Sequence, residues 1–108
     1  SWYHKYLNNI NGIKLNPKLE NYKNVYWTIC VELLNLSEKE RDNIMVKLNE
    51  KYIDSRPYFY PISEMPMYTK VNTPVTKLIS QRGINLPSYF DLTEYQVLYI
   101  CNELKKLL

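Results

Sequence analysis

Val25-Tyr-Trp-Thr-Ile-Cys-Val-Glu-Leu-Leu34, with the Ser37–Glu50 stretch just after it, decides the fold class. In an extended chain Val25, Trp27, Ile29, Val31 and Leu33 share one face, and Tyr26, Thr28, Cys30 and Glu32 share the other. The alternation predicts a strand over 25–34. Its apolar face lies on a core, and its mixed face is partly covered or belongs to an interface. Ser37 then offers an N-cap, and Glu40, three residues on, completes a capping box. Ile44, Met45 and Leu48 give that helix its inward stripe, while Asp42, Asn43, Lys47 and Glu50 make a solvated face. A strand running straight into an amphipathic helix, in a chain of 108 residues, points to one small α+β domain.

Toward the N-terminus, Ser1–Asn9 reads as the end of a helix, with Trp2, Tyr6 and Ile10 at i, i+4, i+8 spacing and Leu7 beside them. Asn8-Asn9 and Asn11-Gly12 end it with residues that tolerate left-handed backbone. Residues Ile13 to Tyr22, including Pro17, read mostly as coil.

Toward the C-terminus lies Tyr52-Ile-Asp-Ser-Arg-Pro-Tyr-Phe-Tyr-Pro-Ile-Ser-Glu-Met-Pro-Met-Tyr68, with three Pro, four Tyr, one Phe and one Arg. Each Pro lacks an N–H and holds the residue before it extended, so no helix runs through this stretch. It should open as a short strand at Tyr52–Ser55 and continue through Arg56-Pro57 into a rigid loop reaching about Asn72. Such a loop presents rings and a guanidinium at low entropic cost, which suits contact with flat, polar or anionic groups. The same residues also suit an aromatic flap packed over the edge of a small core. Thr73-Pro74 starts a further helix, with Val75, Leu78 and Ile79 inward and Gly83 as C-cap. Ile84–Pro87 is a short extended piece. Thr93 with Gln96 caps a last helix whose stripe is Val97, Ile100, Cys101, Leu104 and Leu108. The whole predicts a two-layer α+β domain, a small, mainly antiparallel sheet covered by helices on one face.

Composition excludes more than it proves. The net charge of +3 comes from dispersed Lys and Arg, with no run of five and no nucleic-acid-reading motif, so nucleic acid is not an expected partner. No apolar run reaches membrane-span length. Two Cys and one His make neither a zinc pattern nor a disulfide framework, and Cys30 and Cys101 read as buried thiols of a reducing compartment. Gly12 and Gly83 are the only glycines, too few for a phosphate cradle. His4, the one histidine, reads as a partly exposed helix residue, and no nucleophile–base arrangement is encoded.

Several ordered motifs carry a resemblance: Asn24-Val-Tyr-Trp27, Ile53-Asp-Ser-Arg-Pro-Tyr-Phe-Tyr-Pro61, Met65-Pro-Met-Tyr68, Arg82-Gly-Ile-Asn-Leu-Pro-Ser88, Leu92-Thr-Glu94 and Tyr99-Ile-Cys101. Together they resemble the C-terminal part of DegT/DnrJ-type sugar aminotransferases, in particular the perosamine synthetase-like branch. Residues 1–10 look like the end of the helix that links that family's two domains. The resemblance implies the small domain of the aspartate aminotransferase fold, cut from a cytoplasmic, pyridoxal phosphate-dependent enzyme. That enzyme moves an amino group from glutamate onto a nucleotide-linked keto sugar and works as a homodimer. The Schiff-base lysine, the aspartate on the pyridine nitrogen and most phosphate contacts belong to the family's N-terminal domain. No cofactor is therefore expected on these 108 residues, which alone should be inactive.

On the family pattern Arg56–Ser63 approaches the active-site cleft. Arg56 is the candidate anion or loop anchor, its alternative a salt bridge that locks the loop, and Tyr60 is the candidate cleft-edge contact. Ser63 stands where many members carry His, and a serine hydroxyl does no acid–base work at neutral pH, so no catalytic role passes to it. Tyr52 stands where many members carry Gly, and a tyrosine disfavours left-handed backbone. A different helix ending is expected there, which a positive φ at Tyr52 would contradict. A rival reading from another class is a stand-alone binding or interaction module that keeps the fold without catalysis. A fully covered core would favour the module, and a large exposed apolar patch on the first helix or the strand would favour a piece of an enzyme.

Overall fold

A computed structural model describes residues 1–108. Its helices are α1 (Trp2–Leu7), α2 (Glu38–Glu50), α3 (Pro74–Arg82) and α4 (Glu94–Leu107), and its strands are β1 (Ile13–Leu15), β2 (Ile29–Leu33), β3 (Arg56–Pro57) and β4 (Gly83–Leu86), with a short 3-10 turn at Ile62–Glu64. The strands form one sheet in the order β1-β2-β4-β3, every neighbour antiparallel. This is the expected α+β architecture, except that the helices were expected on one face and α3, which gives the core no residue, lies across the other. Ile29, Val31 and Leu33 of β2 and Ile84 and Leu86 of β4 point to one side. There they join Tyr3 and Leu7 of α1, Ile44 and Leu48 of α2, and Val97, Ile100, Cys101 and Leu104 of α4 in a single core.

Both predicted capping boxes are present. The Ser37 and Thr93 hydroxyls each accept a backbone N–H three residues on, and Glu40 and Gln96 return the bond. Asn9 and Gly12 take the left-handed conformations expected of the first turn, with φ of 67° and 85°.

Other expectations fail for identifiable reasons. The strand over 25–34 begins only at Ile29, because Tyr26 is left-handed at φ 49° and donates its N–H to Asn24 Oδ1 at 2.8 Å. That turn interrupts the alternation and leaves Val25 and Trp27 83% and 75% exposed. Ile13–Leu15, read as coil, is strand β1, since pairing with β2 supplies what three residues cannot. On α1 the buried residues are Tyr3 and Leu7, not the Trp2–Tyr6–Ile10 row. Tyr6 instead lies beside the core and donates its hydroxyl to Glu94 Oε1 at 2.6 Å. The short strand expected at Tyr52–Ser55 is displaced to Arg56–Pro57, where β4 offers free pairing groups. Leu108, placed on the α4 stripe, is exposed beyond the helix end.

Two helix ends carry chemistry the sequence did not show. Tyr52 has φ 60°, contradicting the expectation drawn from its side chain. Its N–H reaches Asn49 O and that of Ile53 reaches Leu48 O, both at 3.0 Å, which is the paired Schellman ending. Ile53 and Leu48 are both buried, and Tyr52 is 99% exposed. Two backbone bonds and an apolar contact thus outweigh a left-handed penalty of about 1–2 kcal/mol. Gly83 is the C-cap of α3 as expected, but in extended backbone at φ −95°, and it opens β4. Glycine is required there for space, because a Cβ would lie 2.2 Å from the Tyr58 ring.

Candidate functional site

The alternation that buries Ile29, Val31, Ile84 and Leu86 turns Cys30, Glu32 and Asn85 to the opposite face of the sheet, where β3 pairs Arg56 with Asn85. Tyr58 lies on this outer face with its ring over Gly83, and its N–H donates to Gly83 O at 3.1 Å. Burial, followed by the nearby Cys30 thiol, pushes the Tyr58 hydroxyl far above its ordinary pKa, so it stays protonated. Thr28 Oγ1 and Asn85 Oδ1 each lie 3.3 Å from Cys30 Sγ, and Asn16 Oδ1 accepts the Cys30 N–H at 2.8 Å. Glu32 and Arg82 form a largely buried pair at 2.8 Å.

Helix α3 lies over this face, and the Arg56–Ser63 segment leaves the sheet edge at β3 and is bonded to α3 and its N-cap. Phe59 O accepts the Ser80 hydroxyl at 3.0 Å, Ser63 Oγ and Thr73 Oγ1 are 2.7 Å apart, and Lys77 pairs with Glu64 at 3.2 Å. The side of α3 turned to the sheet carries Thr76, Ile79 and Ser80, which border a cavity of about 320 Å3 with Cys30, Tyr58 and Asn85. Val75 and Leu78, expected inward, are 68% and 50% exposed, and α3 buries no residue. An adjoining cavity of about 340 Å3 is bordered by Trp27, Arg56, Phe59, Asn85 and Ser88.

The candidates separate. Arg56 lies at the second cavity's edge, its Nε and Nη2 donating to Asp54 Oδ2 at 3.2 and 3.1 Å. Both partners are more than two-thirds exposed, so the pair is screened and worth under about 1 kcal/mol. The guanidinium keeps free donors for an anion. Tyr60 is exposed, and Ser63 is turned to Thr73, which explains why Thr73 makes no side-chain cap on α3. Neither borders the two cavities. Sequence reasoning missed Tyr58, Trp27 and Asn85. The alternation Arg56-Pro57-Tyr58 set opposite Gly83-Ile84-Asn85 was the signal, but it becomes legible only once the strand register is known.

The residues present do not fit an aldehyde cofactor. No lysine is buried, and neither glycine forms a phosphate cradle, Gly12 being in a turn and Gly83 lying under the Tyr58 ring. No group of three or more His, Cys, Asp or Glu is placed to hold a metal ion, and no helix is long and apolar enough to cross a membrane. His4 is half-buried with its pKa lowered, mainly by burial.

Comparison with known proteins gives one consistent result. The profile of the DegT/DnrJ/EryC1/StrS aminotransferase family matches residues 1–105. GDP-perosamine synthase of Escherichia coli O157:H7 is 35% identical over 104 residues, 94% of this chain and 28% of that enzyme. GDP-perosamine synthase of Vibrio cholerae is 42% identical over 84 residues, 74% of this chain and 23% of that enzyme. The chain thus spans about a quarter of the length of the relatives it matches. Among solved structures, Helicobacter pylori PseC, an aminotransferase involved in the biosynthesis of pseudoaminic acid, superposes with a TM-score of 0.86 at 14% identity, over 98% of this chain and 30% of that one. At that identity the likeness speaks for the fold alone.

Proposed function

The chain belongs to the DegT/DnrJ/EryC1/StrS aminotransferase family, and from that premise we propose that it is the C-terminal small domain of a nucleotide-sugar aminotransferase. The observation that carries this is a family match over residues 1–105 in a chain covering only 28% of the E. coli perosamine synthase. In this reading residues 1–10 end the helix joining the two domains. The enzyme is a cytoplasmic homodimer using pyridoxal phosphate, with glutamate as amino donor and a nucleotide-linked keto sugar as acceptor. The cofactor and its lysine sit in the N-terminal domain, and these 108 residues alone are inactive. The exposure of Val25 and Trp27, and of Val75 and Leu78 on α3, supports a surface that meets more of the same enzyme.

The outer-face segment then walls the active-site cleft. Arg56, with donors left free beside Trp27 and Phe59, is placed to meet an anionic, ring-bearing substrate. Tyr60 extends the same wall, and Ser63 holds it to α3 rather than reacting. The test is Arg56→Ala in the full-length enzyme. The KM for the keto sugar should rise about tenfold, while the glutamate half-reaction is unchanged. An unchanged sugar KM would remove Arg56 from the site.

A further inference from the structure

We infer that Arg41, on α2, is a positioning residue that fixes where the Arg56–Ser63 segment lies. Only its catalytic consequence rests on the function proposed above. Sequence reading gave Arg41 no role, yet it is the one cation of α2 that is buried, at 4% exposure. Its Nη1 donates to Ser80 O and Gly83 O, both at 3.0 Å. Its Nε donates to Asp42 Oδ1 at 2.7 Å, and Glu38 Oε1 lies 3.7 Å from Nη2.

The two residues whose carbonyls it holds also bond the middle of the segment. Gly83 O also accepts the Tyr58 N–H at 3.1 Å, and the Ser80 hydroxyl donates to Phe59 O at 3.0 Å. Ser80 O lies in the last turn of α3, where carbonyls lack intrahelical partners and positive charge suits the dipole. One guanidinium thereby locks the α3 terminus to the first residue of β4. The segment is hung from that junction by a backbone bond at Tyr58 and a hydroxyl bond at Phe59. Without Arg41 two carbonyls lose a charged donor in a buried place, and the junction is free to shift, carrying Tyr58 and Phe59 with it.

The experiment is residue-level hydrogen exchange on the chain carrying Arg41→Met and, separately, Arg41→Lys. With Met, exchange across residues 58–64 should speed up about tenfold more than exchange in α4, since the opening is local. With Lys, whose ammonium brings donors along the same path, part of the protection should return. Uniform acceleration throughout the chain, or no change at 58–64, would overturn the inference and leave Arg41 a staple of general stability. In the full-length enzyme, Arg41→Met should raise the sugar KM several-fold and spare the glutamate half-reaction. If exchange at 58–64 responds while both half-reactions are untouched, Arg41 still positions the segment, and it is the assignment of that segment to the cleft that fails.

Discussion

Helices α3 and α4 are written in nearly the same sequence language and are used in opposite ways. Each begins at a threonine and carries an apolar stripe. In α4, Thr93 caps the backbone and Val97, Ile100, Cys101 and Leu104 are all buried against the inner face of the sheet. In α3, the Thr73 hydroxyl is paired with that of Ser63, no residue is buried, and Val75 and Leu78 face outward. Periodicity marks a helix and an apolar side. It does not say whether the surface that side needs lies within the same chain. The inner face is packed within these 108 residues, whereas the outer face, with α3 and the Arg56–Ser63 segment, leaves Val75, Leu78 and Phe59 exposed.

The sharpest way to break this contrast is a pair of truncations. Leu104→Ala should cost about 2–5 kcal/mol in urea unfolding, as expected for a fully buried leucine. Leu78→Ala should cost under about 0.5 kcal/mol in this chain. Equal losses would mean that α3 is packed as α4 is. Next in size is Gly83→Ala, whose Cβ would displace the Tyr58 ring. A loss of about 1–3 kcal/mol is expected, with a Tyr58→Ala second substitution making it clearly less than additive. Simple additivity would place the cost in the backbone rather than in the ring.

Smaller in size and opposite in sign is Tyr52→Gly. Removing a left-handed tyrosine whose side chain touches only water should raise stability by about 1 kcal/mol, read as a higher urea midpoint. A fall would show that the exposed ring contributes. The smallest perturbation is chemical labelling. Burial pushes the Cys101 thiol up to about 11, so at pH 8 almost none of it is thiolate, and raising the pH toward 11 should favour the unfolded chain, which ionises first. Cys30 borders a cavity on the outer face and should label at least about tenfold faster than Cys101. Matched rates would mean that the inner face opens as readily as the outer.

What was legible in the sequence follows the same division. Ser37 with Glu40 and Thr93 with Gln96 announced α2 and α4 because a capping box is a local device. The inward residues of β2, α2 and α4 followed from period. Strand β1 and the two-residue β3 exist only through their partners, so nothing in Ile13–Leu15 or Arg56–Pro57 by itself could declare them. At Tyr52 side-chain preference pointed one way, and two backbone bonds with a buried Ile53 decided the other. At Gly83 the helix stop was read from sequence, but its need for space was not, since the ring that needs the space is 25 residues away in sequence, from 58 to 83. Of the candidates, Arg56 was named from the family resemblance, whereas Arg41, Tyr58 and Trp27 acquire meaning only from what they face.

The most direct test of the account is a pyridoxal phosphate titration of this chain, read by visible aldimine absorbance and by mass after borohydride trapping. With no buried lysine and no phosphate cradle, only scattered, sub-stoichiometric adducts on surface lysines are expected. A single lysine modified at one equivalent would contradict the central claim, because the cofactor's chemistry would then reside in these 108 residues.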